Sequence, residues 1–198
     1  MRLTTAPLTV ALIATNIVLF AADFFSDGRL SSAFALQPAL VAGGKWWLLL
    51  TYGFMHANWP HVLINMYARL QAGAFVEYCY GTPRYAPIYF VALFTGGVAA
   101  YYTTLHSNDF TVGASGAVMG VFGAMAVLAF KLPRLRRELL QAAILPIVLT
   151  LGYGLINPHV SSAGHVGGLI GGVIVAAVLT PVRGQRLVPI QEEQEEEA

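Results

Sequence analysis

Charge is scarce in this chain. Asp, Glu, Lys and Arg make up 11% of its 198 residues, where a soluble domain carries roughly 25%. Too few charges remain to cover the surface of a water-soluble globule. With 57% hydrophobic residues and a mean hydropathy of +0.64, this excludes a disordered chain, a coiled coil and a nucleic-acid binder, and implies an integral membrane protein. Cysteine is scarcer still: a single Cys79 excludes an internal disulfide framework. The net charge of +1 hides an asymmetry, because Glu192, Glu193, Glu195, Glu196 and Glu197 hold five of the ten acids at the C-terminus.

Long apolar runs are present instead. A bilayer core of about 30 Å takes about 20 apolar residues as helix. Six such stretches are read, at about 6–25, 61–78, 86–105, 115–130, 139–156 and 165–182. The first is too long and too poor in basic flanking residues for a cleaved signal peptide, so it is kept as a span. The expected fold is an all-α polytopic bundle over 1–182, followed by a disordered acidic tail over 183–198.

The bases set the orientation. Arg2, Arg84, Lys131, Arg134, Arg136, Arg137, Arg183 and Arg186 fall on one side of a six-span arrangement, and Arg29 and Lys45 on the other. The positive-inside rule puts both termini in the cytoplasm. The segment from Ser26 to Thr51 becomes an external loop whose Trp46-Trp47 pair suits the membrane interface. No transit peptide or extra span is read, so a prokaryotic plasma membrane is expected.

Polar residues inside spans are costly and are candidates for function. Here they are His61, Asn65 and Arg69 in the second span, Ser115 in the fourth and His165 in the sixth. Spans two, four and six run from outside to inside, so His61, Ser115 and His165 share a layer near the outer leaflet. Gly116 and Gly120 follow Ser115 at helical spacing, and Gly168 and Gly172 lie on the face of His165. Glycine stripes let helices approach to backbone contact. Facing stripes would bring the serine hydroxyl to a base, which it needs to become a nucleophile. The bland alternative is that the glycines only pack helices and that Ser115 bonds back to a carbonyl. His61 and Asn65, spaced i, i+4, are suited to stabilise an oxyanion, or equally to hold helices together. His56, His106 and His159 read as interfacial histidines with wet rings. Arg69 at mid-span needs a partner or a water path, and Glu77 two turns on is one candidate.

Three motifs occur in order: His61-Val62-Leu63-Ile64-Asn65, Gly113-Ala114-Ser115-Gly116, and His165-Val166-Gly167-Gly168-Leu169-Ile170-Gly171-Gly172. In these the chain resembles the rhomboid intramembrane serine proteases, with support from Trp46-Trp47, Phe54-Met55-His56 and Glu77. The resemblance implies the minimal six-span rhomboid-like form. It implies a Ser115–His165 dyad without an aspartate, and an oxyanion hole made of the Ser115 backbone N–H, His61 and Asn65. It implies helix packing at Gly113, Gly116, Gly120, Gly168 and Gly172. Substrates would be transmembrane segments of other proteins, cut near the outer face, with no metal and no organic cofactor. Three positions depart from the family's habit. Gly164 replaces an alanine, Leu48 an arginine, and Met119 an aromatic that stacks on the histidine. A thioether orients an imidazole less firmly, so a slower dyad is expected.

Other intramembrane chemistries lack their residues. No histidine is followed by glutamate, which excludes the H-E-x-x-H zinc pattern, and Asp23 is the sole aspartate in a span. The remaining alternative is a catalytically weak or inactive relative, of the derlin-like kind, that binds membrane-protein clients.

Overall fold

The computed structural model describes residues 6–107 and 109–183. The expected acidic tail, beyond Arg183, lies outside the described residues, as does Arg2. The described chain is helical throughout, and its one β-type pairing is an isolated bridge between Leu36 and Thr111. Ten α-helices follow in order: α1 (Pro7–Phe25), α2 (Arg29–Phe34), α3 (Pro38–Ala42), α4 (Leu48–Thr51), α5 (Trp59–Ala68), α6 (Ala74–Tyr80), α7 (Thr82–Thr103), α8 (Ser115–Lys131), α9 (Arg136–Ile156) and α10 (Ser162–Val178). A π turn over Arg69–Gly73 joins α5 to α6, so Trp59 to Tyr80 is one interrupted helix.

The polarity is distributed as in lipid. Ile17, Val18, Leu63, Ile64, Leu145 and Leu149 are exposed, while Thr9, Asn16, His56, Asn65, Arg69, Glu77 and His165 are buried. A helix bundle in hydrocarbon satisfies polar groups internally and turns apolar side chains outward. Pro7–Phe25, Thr82–Thr103 and the stretch Pro133–Ile156 are long and apolar enough to cross a membrane. The apolar helices α8 and α10 have 17 residues each, about 26 Å at the helical rise.

The helix ends refine the sequence reading. The third span is expected from about 86, yet α7 starts at Thr82, with Pro83 in its first turn. Proline in a first turn costs nothing, because that N–H has no intrahelical partner. The last helix begins earlier and stops earlier than 165–182. The Ser161 hydroxyl caps it by accepting the Gly164 N–H at 3.1 Å. Beyond Val178, Pro181 disfavours helix at Thr180, and Cys79 O accepts the N–H groups of Val182 and Arg183.

The segment read as the external loop carries α2, α3 and α4 and is partly built in: Leu36, Pro38 and Leu48 are buried, while Trp46 and Trp47 remain exposed. Asp23 near the end of α1 accepts the Ser31 N–H at 2.9 Å and the Ser31 hydroxyl, which ties α2 to α1.

Two buried charges anchor the second helix. Glu77 accepts Leu8 N–H at 2.9 Å, Thr9 N–H at 2.7 Å and the Thr82 hydroxyl at 2.7 Å. It thus caps the start of α1 from another helix, where free N–H groups and the helix dipole favour a carboxylate. Arg69 finds its partner elsewhere. It donates from Nη2 to the Tyr89 hydroxyl and lies with its guanidinium 4.8 Å from the centre of that ring. Tyr89 on α7, rather than Glu77, holds this charge, and a cation over an aromatic face is stabilised when desolvated.

Candidate active site

Ser115 is the first residue of α8. Gly113, two residues earlier, has φ +122°, which a side chain rarely tolerates. Its N–H donates to Tyr52 O at 3.0 Å, fixing the turn before the helix. A Cβ at this position would lie 2.6 Å from Cε1 and 2.7 Å from Nε2 of His61. Glycine here therefore permits both the backbone turn and the close approach of an imidazole from α5.

His165 sits in the first turn of α10. Its Nε2 lies 2.8 Å from Ser115 Oγ, a normal hydrogen-bond length. Among the described residues its Nδ1 has no hydrogen-bond partner, and the ring is buried. Among the described residues the pair is therefore a serine and a histidine with no carboxylate bonded behind them.

The glycines explain how the two helices meet. A Cβ on Gly168 would overlap the backbone of Gly116, and one on Gly172 the backbone of Gly120. The stripes face each other, and Ser115 and His165 lie at the same end of the seam. The seam has a third wall. A Cβ at Gly96 of α7 would meet Gly164 O at 2.8 Å, and one at Gly167 would meet Thr95 O at 2.6 Å. The Thr95 hydroxyl donates to Gly167 O at 2.8 Å. The sequence reading paired α10 with α8 alone and missed α7. The signal available was Thr95-Gly96-Gly97, three small residues in one span.

His61 lies in the first turn of α5 and Asn65 one turn further on. The Asn58 side chain caps this helix, accepting the His61 N–H at 2.9 Å. Asn65 Nδ2 donates to His61 O at 2.9 Å, and its buried Oδ1 has no partner among the described residues. One amide hydrogen of Asn65 is thus committed within the helix and one is uncommitted. Met119 is buried one turn after Ser115.

One histidine departs from its sequence reading. His106 and His159 are exposed, but His56 is buried, with its ring 5.1 Å from that of His61 in an edge-to-face arrangement. Burial, then the His61 and Arg69 charges, pushes its pKa down to about 3. It is a neutral ring packed behind His61 rather than a wet interfacial one.

The arrangement offers a hydroxyl, a base at hydrogen-bonding distance and an imidazole next to the turn that carries the hydroxyl. Among the described residues no group of three or more His, Cys, Asp or Glu is placed to hold a metal ion.

Comparison with known proteins adds to this. Residues 43–182 match the family model described as the rhomboid domain. Over 146 residues the chain is 35% identical to the rhomboid protease GluP of Bacillus subtilis (strain 168), covering 73% of this chain and 28% of that protein. It is 32% identical over 143 residues to Rhomboid-like protease 1 of Toxoplasma gondii, covering 70% and 48%. It is 30% identical over 148 residues to RHOMBOID-like protein 5 of Arabidopsis thaliana, covering 73% and 48%. The chain spans less than half the length of each of these relatives.

Proposed function

The chain belongs to the rhomboid family, and from that premise we propose that it is an intramembrane serine endopeptidase. The observation that carries the reading is the 2.8 Å approach of His165 Nε2 to Ser115 Oγ. In this reading Ser115 attacks a peptide carbonyl while His165 Nε2 takes its proton. The oxyanion receives hydrogen bonds from the Ser115 backbone N–H, His61 and the free amide hydrogen of Asn65. His165 then protonates the leaving amine, and water releases the acyl group by the same route in reverse.

The substrates are transmembrane segments of other proteins. A peptide bond within a helix is shielded, so the segment must unwind locally before cleavage. Six spans carry the site: α1, the interrupted helix from Trp59 to Tyr80, α7, α8, α9 and α10. In this reading both termini lie in the cytoplasm of a prokaryotic plasma membrane with Ser115 toward the outer face, an orientation that the distribution of bases supports.

The test pairs a fluorophosphonate probe with a reporter transmembrane substrate. Wild-type protein should label and cleave, and both signals should be lost in Ser115→Ala and largely lost in His165→Ala. A folded wild-type protein that does neither, across varied transmembrane segments, would be a client-binding relative without activity.

A further inference from the structure

At the far end of α8 from Ser115, about 26 Å away by helical rise, an open groove of about 820 Å³ runs along the first half of α9. Its head is lined by Arg134, Arg136 and Arg137, against a single acid, Glu138. All three arginines are exposed. Lys131, the neighbouring base, is otherwise committed: its Nζ donates to Ala176 O at 2.8 Å and to Ala177 O at 2.9 Å. Three arginines against one acid leave the head of the groove net positive, with the Arg136 guanidinium 4.8 Å from the centre of the Phe130 ring.

The lower part of the groove is apolar, formed by Ile144, Leu145 and Val148. Arg137, Gln141, Ile144 and Val148 recur at helical spacing, so head and floor form one continuous stripe on α9. From Arg137 to Val148 the helix rises about 16 Å. That matches one leaflet, half of a hydrocarbon core of about 30 Å. Only Leu139 and Ala143 of α9 are buried, which leaves this face to whatever surrounds the protein.

We infer that this groove is a binding site for one anionic phospholipid, with its phosphate on Arg134, Arg136 and Arg137 and an acyl chain along Ile144, Leu145 and Val148. The charge sign selects the headgroup, the length of the stripe matches the chain, and planar guanidinium groups suit bidentate phosphate contacts.

The test uses the full chain in detergent, titrated with phosphatidylglycerol or phosphatidylcholine of equal chain length and read by native mass spectrometry. The wild type should retain phosphatidylglycerol in preference to phosphatidylcholine. Arg134→Gln and Arg137→Gln should each lower that retention by about fivefold, as expected for about 1 kcal/mol per arginine near an anionic headgroup. The triple variant R134Q/R136Q/R137Q should lose the preference. The single variants decide the matter if the triple one fails to fold. Equal retention of both lipids overturns the inference, as does an unchanged preference in the folded variants. Displacement of the lipid by millimolar inorganic phosphate would make it a phosphate site instead. A preference that emerges only after truncation at Arg183 would assign the groove to the glutamate-rich C-terminus.

Discussion

The imidazole of His61 lies where a side chain at residue 113 would be, 2.7 Å from the Cβ that Gly113 lacks. The turn that presents Ser115 and the ring proposed to stabilise its oxyanion are thus in direct contact. Gly113→Ala should suffer twice, from φ +122°, which costs about 1–3 kcal/mol for a side-chain-bearing residue, and from the collision with His61. Turnover of a reporter substrate should fall at least about tenfold, given how steeply rate depends on alignment of reacting groups, with a smaller change in KM. Wild-type turnover would separate His61 from the chemistry.

Gly168 abuts the backbone of Gly116, so even one methyl must push α10 from α8. Gly168→Ala should destabilise by about 1–3 kcal/mol, the usual cost of overpacking. It should also slow fluorophosphonate labelling of Ser115, because it lengthens the Ser115–His165 contact. A variant that unfolds earlier yet labels at the normal rate would show the seam to be structural only.

Asn65 has one amide hydrogen committed to His61 O. If the other serves the oxyanion, Asn65→Ala should lower kcat by about 10²–10³ with little effect on substrate capture. Unchanged kcat would remove it from the mechanism.

Glu77 joins α6 to α1 through two backbone N–H groups. Hydrogen bonds to a charged group contribute about 1.5–3 kcal/mol, and Glu77→Gln should forfeit much of that. The expected result is a lower unfolding midpoint in detergent with residual activity well below that midpoint. An unchanged midpoint would contradict the capping role.

His56 should contribute to acid sensitivity. Its pKa is about 3 when folded and 6.5 in the ordinary case, so between those values the unfolded chain binds a proton that the folded chain refuses. Stability then falls as pH drops from about 6.5 toward 3. His56→Leu removes the titrating ring while keeping an apolar side chain in the buried space. Its plot of unfolding midpoint against pH should be flatter over that range, and a slope equal to the wild type's would rule out His56 as the source.

The all-helical membrane fold was legible because lipid imposes it on composition: apolar runs, turn residues and few charges leave little choice. Ser115 and His165 stood out for the same reason, since so few polar groups share the spans. What local pattern could not reveal were pairings distant in sequence. Glu77 meets Leu8 and Thr9 across nearly seventy residues. Arg69 meets Tyr89 on α7, and Thr95 meets Gly167. Spacing along one helix does not specify which neighbour fills the groove beside it. His56 was misjudged because a histidine before a proline-capped helix reads as loop, and only tertiary packing buries it.

The π turn over Arg69–Gly73 bears on which insertions and deletions the gene can accept. Each residue added to or removed from a helix rotates everything beyond it by about 100°. Upstream of the turn the helix aims His61 toward Gly113, and downstream it aims Glu77 at the start of α1. A deletion of one residue between 69 and 73 would leave a smoother helix, yet its two halves could no longer address both partners. This short stretch sets the phase between the proposed catalytic layer and the anchor of α1, so its length is more constrained than its composition.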